Sequence, residues 1–353
     1  MKKPTVTVLT TIYNGRAYLN ESIESVLNQT YDDFEFLIID DSSTDNSVEI
    51  VNSYQDPRIR LVKNEKNIGQ TASMNIGLGL AQGKYIARLD QDDVCLPKRL
   101  KEQVGFMKEN PSVTIVSSWE YVIDPEGNKT AVWKRTIENY GTFLGFILLG
   151  LCPVFHPSVM FLKDEILNLG CFDTDYGPAE DYELWSRIAL SRLNGAVIPQ
   201  FHLLKRDHDQ SQSILKQEKQ FDSLTKAHNK VIKIFLDVDE VETLSSSLRL
   251  DASTDNITYN KNNILELALK LKLMLDNVSS KQNLSEKELR SLKTKIYHRI
   301  GYGFVVAPSI MLFPKILFYL VFYSASPMYL VKARKFLSSL SSMKRRFPFL
   351  LKK

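Results

Sequence analysis

Residues 85–93 read YIARLDQDD. Tyr85 to Leu89 has the composition of a short strand, and it runs into three carboxylates within four positions, Asp90, Asp92 and Asp93. Like charges this close raise one another's pKa and repel, so they persist beside a cation or a reacting group that neutralises them. The spacing Asp90-Gln91-Asp92 sets two carboxylates at one strand end with a single residue between them. Mg²⁺ and Mn²⁺ take one or two carboxylates and complete their octahedral shells with waters and substrate phosphates. The stretch therefore predicts a metal–diphosphate site; the plain alternative is a solvated acidic turn.

The chain around this stretch alternates strand and helix. Val6 to Thr11 is rich in β-branched residues, Asn14-Gly15 is a turn signal, and Ile23, Val26 and Leu27 give helical spacing to Ala17–Leu27. Phe36 to Ile39 predicts a second strand ending at Asp40-Asp41, followed by a loop and a helix over Ser47–Tyr54 whose N-cap is Asp45. Ile59 to Val62 predicts a third strand, Asn67-Ile68-Gly69 a turn into a helix through Ala81, and Pro97 a helix opening after the fourth strand. This order implies an α/β fold with a mostly parallel, Rossmann-like sheet and right-handed crossovers. Ligands of such sheets bind at the carboxyl ends of the strands. Thr11, Tyr13, Asp40, Asp41 and Asp90 all fall at those ends.

From 113 to 210 the pattern is mixed. Val113–Val116 and Tyr121–Ile123 read as strands, Phe143–Leu149 as a buried element of either kind, His156–Phe161 as extended, and Asp181–Leu190 as a helix. Residues 216–300 are helical by periodicity, with polar breaks at Ser245–Ser247 and Asp251–Asn256. The expected organisation is thus a catalytic domain over 1–215, a helical region over 216–300 and a hydrophobic, basic tail over 301–353.

That tail sets the charge balance. The formal net charge is +4, yet residues 331–353 hold eight Lys or Arg and no acid, leaving 37 basic against 41 acidic residues in the rest. The basicity points to an anionic membrane surface as partner rather than to nucleic acid. Residues 304–331 carry one charge, Lys315, and three prolines, Pro308, Pro314 and Pro327. Spanning a bilayer takes roughly 20 apolar residues. An in-plane hydrophobic segment with a polybasic flank makes a two-signal membrane anchor; a core or homodimer element and a true span stay open. The N-terminal stretch MKKPTVTVLTTIYN has no long apolar run and reads as a strand, so no signal peptide is expected. The odd, unevenly spaced Cys95, Cys152 and Cys171 suit a reducing compartment. A cytoplasmic protein, peripheral on the inner face of the membrane, is expected.

Four separated motifs, TTIYNG, SIESVLNQTYDDFEFLIIDDSSTDNS, KNIGQTASMNIGLGLAQGKYIARLDQDD and AEDYELWSRI, resemble in order and spacing the family 2 glycosyltransferases. The likeness covers residues 5 to about 210 and implies the GT-A fold. By resemblance, Thr11 and Tyr13 line the nucleotide base, Asp41 reads base and ribose, and Asn67, Gly69 and Asn75 match the N-x-G turn and its helix. Asp90 and Asp92 match the D-x-D pair, with Asp92 on the metal and Asp90 on the donor. Asp181 matches the general base, with Glu180 as support. His156 matches a position near the acceptor, and Trp185 is either an acceptor platform or core. In the R-x-H…S pattern His208 matches a metal ligand, with Arg206 or Ser211 on phosphate.

The resemblance implies inverting transfer of one sugar from a nucleotide-diphosphate sugar, UDP-linked, with Mn²⁺ or Mg²⁺, to a saccharide or lipid-linked saccharide. The chain lacks the Q-x-x-R-W motif of processive synthases. Two rivals stand beside this reading. A sugar nucleotidyltransferase would carry a Gly-rich basic phosphate loop where this chain has TTIYNGR. A non-catalytic sugar-binding protein would not need both the D-x-D pair and Glu180-Asp181.

Overall fold

The computed structural model describes residues 3–211, 215–236, 271 and 273–306. A nine-stranded sheet organises them. Strands β1 (Val6–Ile12), β2 (Phe34–Asp40), β3 (Ile59–Lys63) and β4 (Tyr85–Arg88) are mutually parallel, in the order β3-β2-β1-β4. Helices α1 (Leu19–Leu27), α2 (Ser47–Ser53) and α3 (Gln70–Leu80) make the crossovers. Leu19, Ile23 and Val26 sit four and three residues apart and bury the inner face of α1. β1 and β2 are buried on both faces, as parallel strands between helix layers are. Parallel registry aligns their carboxyl ends: Ile12 lies opposite Asp40, and Leu9 opposite Arg88. Tyr13, Asp41 and Asp90 thereby emerge on one edge.

The rest of the sheet departs from the parallel expectation. It holds β5 (Val94–Cys95), β6 (Val113–Ile123), β7 (Lys129–Trp133), β8 (Met160–Leu162) and β9 (Asn194–Arg206). The order continues β8-β6-β9-β5, with β7 on β6. Only β6 with β9 is parallel in this half; β4–β8, β8–β6, β9–β5 and β6–β7 are antiparallel, so the sheet is mixed. The two segments expected over 113–123 are one strand, whose register shifts near Ser118–Glu120 interrupt the apolar alternation. Residues 143–148 belong to helix α5 (Tyr140–Leu148), which Leu149 caps; α4 (Arg99–Glu109) precedes it, and α6 (Lys163–Asn168) and α7 (Glu180–Leu190) follow. His156–Ser158 forms a 3₁₀ turn rather than extended chain, with proline in it.

Helical residues beyond 216 complete the core. Val231, Ile232 and Phe235 of the helix Gln217–Phe235, with Met274, Leu275, Leu292 and Ile296, join the cluster built on Phe143, Leu144, Tyr182 and Trp185. Among the described residues no helix is long and apolar enough to cross a membrane. Residues 307–353, with most of the hydrophobic stretch and the whole basic flank, lie outside the described residues, as do the polar breaks expected at 245–247 and 251–256.

Candidate active site

The carboxyl edge gathers four groups of side chains. On β1, Tyr13 projects 45% exposed, and Thr11 is half-buried. Gln91 clamps this segment: its side chain accepts from the Tyr13 N–H at 2.9 Å and donates to the Tyr13 carbonyl at 3.3 Å. A Cβ at Gly15 would come within 2.4 Å of the Gln91 oxygen, so the glycine permits that approach. Asn14 and Ser42, at the ends of β1 and β2, hold positive φ of 51° and 64°. Such backbone persists where surroundings fix it, commonly around binding sites.

Asp40 and Asp41 divide their work. Asp40 accepts from the Ser43 N–H at 3.2 Å and caps its own loop. Asp41 is 2% exposed, and its carboxylate accepts from Ile68 N–H (2.9 Å), Gly69 N–H (2.8 Å) and Asn64 Nδ2 (2.9 Å). It thus fastens the loop that carries the exposed Asn67, and with both oxygens so engaged it does not stand free for the base and ribose contact that the resemblance implies. Gly69 ends that loop with φ of 90°, a conformation that favours glycine. Asn75 lies away from the edge and pairs with the backbone of Phe172.

The acidic cluster follows β4. Carboxylate oxygens of Asp90, Asp92 and Asp93 all lie within 4.8 Å of one another. Arg88 donates both guanidinium arms to Asp90, and Gln70, the first residue of α3, donates to it at 3.2 Å. The antiparallel β5–β9 pair, with Val94 opposite Leu204, carries the end of β9 back to the cluster. There the Arg206 N–H donates to Asp93 at 2.8 Å, and His208 Nε2 lies 2.8 Å from Asp92 Oδ2. The other Asp93 oxygen is buried with no partner. Burial and the neighbouring carboxylates push Asp93 well above the ordinary range, and burial also raises Asp90 against the pull of Arg88. Three carboxylates facing one guanidinium, one of them with a bare buried oxygen, fit a hard divalent cation with His208 beside it.

The fourth group opens α7. Asp181 Oδ1 accepts from the Tyr182 N–H at 2.7 Å, and the Cys152 thiol reaches Oδ2 at 3.6 Å. Burial raises the Asp181 pKa and lifts Glu180 to about 7, with the Asp181 charge adding to the latter. The charges of Arg88 and Asp90 act on Glu180, which ties this group electrostatically to the cluster. One oxygen of Glu180 is buried and free of partners.

The structure decides two alternatives that the sequence left open. Trp185 is fully buried, so it is the core residue and not an acceptor platform; it packs edge-on to His156 at 5.8 Å. Arg206 is 2% exposed and spent on Glu21 and on the carbonyls of Asp92, Asp124 and Pro125, so it locks the β9 end instead of meeting phosphate. His156 keeps a buried, partnerless Nε2, and burial holds its pKa well below the usual range. Gln70, Gln91 and Cys152 are site contacts with no signal in the sequence: they contribute through pairing with residues 20, 78 and 29 positions away.

Similarity to known proteins agrees with this geometry. The model of the Glycosyl transferase family 2 matches residues 7–169. An uncharacterized glycosyltransferase of Methanocaldococcus jannaschii is 37% identical over 67% of this chain and 83% of its own length. The UDP-Glc:alpha-D-GlcNAc-diphosphoundecaprenol beta-1,3-glucosyltransferase WfaP of Escherichia coli is 29% identical over 65% of this chain and 91% of its own. In fold, the S. aureus TarS 1-349 structure in complex with UDP-GlcNAc superposes with a TM-score of 0.55 at 17% identity, covering 84% of this chain and 89% of that one. The mannosyltransferase PcManGT from Pyrobaculum calidifontis, in complex with GDP-Man and Mn2+, gives 0.50 at 15% identity, covering 87% and 88%.

Proposed function

The chain belongs to the family 2 glycosyltransferases, and from that premise we propose that it moves one sugar, with inversion, from a UDP-linked donor to a lipid-linked saccharide of a surface glycoconjugate. What supports this is the cluster of Asp90, Asp92 and Asp93 after β4, with Glu180, at the start of α7 beside Asp181, within electrostatic reach of Asp90 and Arg88. The UDP-sugar donor and diphosphate-lipid acceptor in the name of the E. coli relative support the two substrate classes.

Each group has a chemical task. Tyr13 offers an exposed ring for base stacking, with Thr11 beside it. Asp41 fixes the Asn64–Gly69 turn, which presents Asn67 to the nucleotide. Asp90, oriented by Arg88 and Gln70, faces donor hydroxyls. Asp92, with Asp93 and His208, would hold Mn²⁺ or Mg²⁺, which when bound offsets charge on the departing diphosphate. Asp181 accepts the acceptor hydroxyl's proton while that oxygen bonds to the anomeric carbon and the diphosphate leaves with the bonding electrons. Glu180 supports it from the same turn. The rival nucleotidyltransferase would need a basic loop after β1, where Asn14 and Gly15 stand.

A screen of nucleotide sugars with Mn²⁺ or Mg²⁺ tests the reading through slow hydrolysis without acceptor. UDP release from a UDP-sugar is expected; release from no nucleotide sugar would refute it. Residues 1–215 act as the catalytic unit in this proposal, 216–300 as its helical brace, and 301–353 as an anchor to the inner membrane face. Deleting 301–353 should free the protein from anionic vesicles, and unchanged co-sedimentation would remove the anchor.

A further inference from the structure

Strand β7 has no role so far. All five of its residues, Lys129–Trp133, are exposed, with Val132 at 51% and Trp133 at 38%. Residues 129–135 read KTAVWKR: three cations and no acid. Among the described residues Lys129, Lys134 and Arg135 form no ion pair; each lies over aromatic rings instead. Lys129 is 3.7 Å from the Tyr121 ring and Lys134 is 4.8 Å from Trp119. The Arg135 guanidinium sits 4.7 Å from Phe155 and 4.8 Å from Phe146. Burial works against its charge, and the groups facing it are the Cys152 thiol and the Glu120 carboxyl.

Ring contacts join these groups into one row near the candidate site. Arg135 lies on Phe155, Phe155 packs 5.8 Å from Trp133, and Lys205, ion-paired with Asp207, lies 5.0 Å over Trp133. At one end Arg135 is within electrostatic reach of Cys152, whose thiol touches Asp181; at the other Lys205 is within electrostatic reach of Asp90. The row thus runs from near the candidate base towards the candidate metal cluster. An acceptor must occupy the space bordering both.

On this basis, and resting on the glycosyl-transfer reading of the Asp181 site, we propose that Trp133, Phe155 and Arg135 form the acceptor subsite for a diphosphate-linked saccharide. Trp133 and Phe155 supply faces for a sugar ring. Arg135 supplies a planar fork that matches phosphate oxygens in a bidentate way. An uncharged glycan would leave that half-buried cation desolvated without a counter-ion, whereas a diphosphate neutralises it. Lys134, which has no ion pair among the described residues, extends the positive field on one side.

The test uses the full chain and the donor found active in the screen. The acceptors are a short-chain alkyl-diphosphate-linked N-acetylglucosamine and the matching uncharged alkyl glycoside. Arg135→Gln should raise KM for the diphosphate acceptor about tenfold, Arg135→Lys less, and both should leave the uncharged glycoside unchanged, as loss of a single charged contact predicts. Trp133→Ala should weaken both acceptors. Donor hydrolysis without acceptor should stay within about twofold in all three variants, which shows that they fold and bind donor. Equal use of the two acceptors by the natural chain, or unchanged KM in Arg135→Gln, would overturn the subsite. Donor hydrolysis with no transfer to either acceptor would overturn the subsite and leave the glycosyl-transfer reading standing. No hydrolysis of any donor would instead strike the reading beneath it.

Discussion

Asp41→Asn isolates the carboxylate that fastens the nucleotide loop. In the native chain two donors, the Ile68 N–H and Asn64 Nδ2, meet Oδ1, and the Gly69 N–H meets Oδ2, all between 2.8 and 2.9 Å. An amide offers one oxygen and one NH₂. With the oxygen at Oδ1 the NH₂ opposes the Gly69 N–H; flipped, it opposes two donors. At least one charged hydrogen bond, about 1.5–3 kcal/mol, is lost, and the remaining bonds fall to the neutral range of about 0.5–1.5 kcal/mol. Glu65, Lys66 and Asn67 are exposed, so the loop can open to water and limit the loss. About 2–4 kcal/mol of destabilisation follows, which for a domain of this size lowers Tm by roughly 4–16 °C. Differential scanning fluorimetry reads the Tm, and a titration of donor hydrolysis reads a KM raised severalfold. An unchanged Tm with an unchanged donor KM would refute the assignment of Asp41 to this loop.

Three further outcomes follow from the geometry. Asp92→Ala should abolish metal-dependent donor binding by calorimetry, and the variant's heat should be the same with and without EDTA; EDTA-sensitive binding in the variant would contradict the metal assignment. Glu120 is fully buried, and burial lifts its pKa to about 7 against the opposing pull of the Ser158 hydroxyl and of Arg99, Lys205 and Arg88. The folded chain thus holds a proton that the unfolded chain releases, so stability falls as pH rises from the ordinary carboxylate value of 4.5 towards 7, by up to about 3 kcal/mol; Glu120→Gln should flatten that slope in thermal melts, and an unaltered slope would be contrary. Burial raises the Asp181 pKa, so transfer should show an acid limb above the ordinary carboxylate range, lost as pH falls because the base must be ionised; a pH–rate profile with its limb at or below the ordinary carboxylate value would be contrary.

The N-terminal half was legible because its signals are local. The strands that Tyr13, Asp41 and Asp90 follow alternate with helices, and parallel registry puts their ends together without further information. The antiparallel half was not, for physical reasons visible in the residues. β9 contains Gly195 and Pro199, which read as breakers, yet it pairs with both β6 and β5. The run at 143–149 is apolar on every face because α5 is buried all round, so no period distinguishes helix from strand. Trp185 shares its sequence context with site residues, and only burial assigns it to the core. The pairing of Arg88 with Asp90 could be anticipated from their two-residue separation; the Cys152–Asp181 contact spans 29 residues and could not.

The central claim is that Asp181 takes the acceptor's proton while the carboxylates after β4 hold the donor. Asp181→Asn keeps the side chain's size and removes its basicity. The account predicts that transfer kcat falls by about 10²–10⁴ while donor affinity stays within about twofold. Transfer at the natural rate by Asp181→Asn, with donor binding intact, would contradict it.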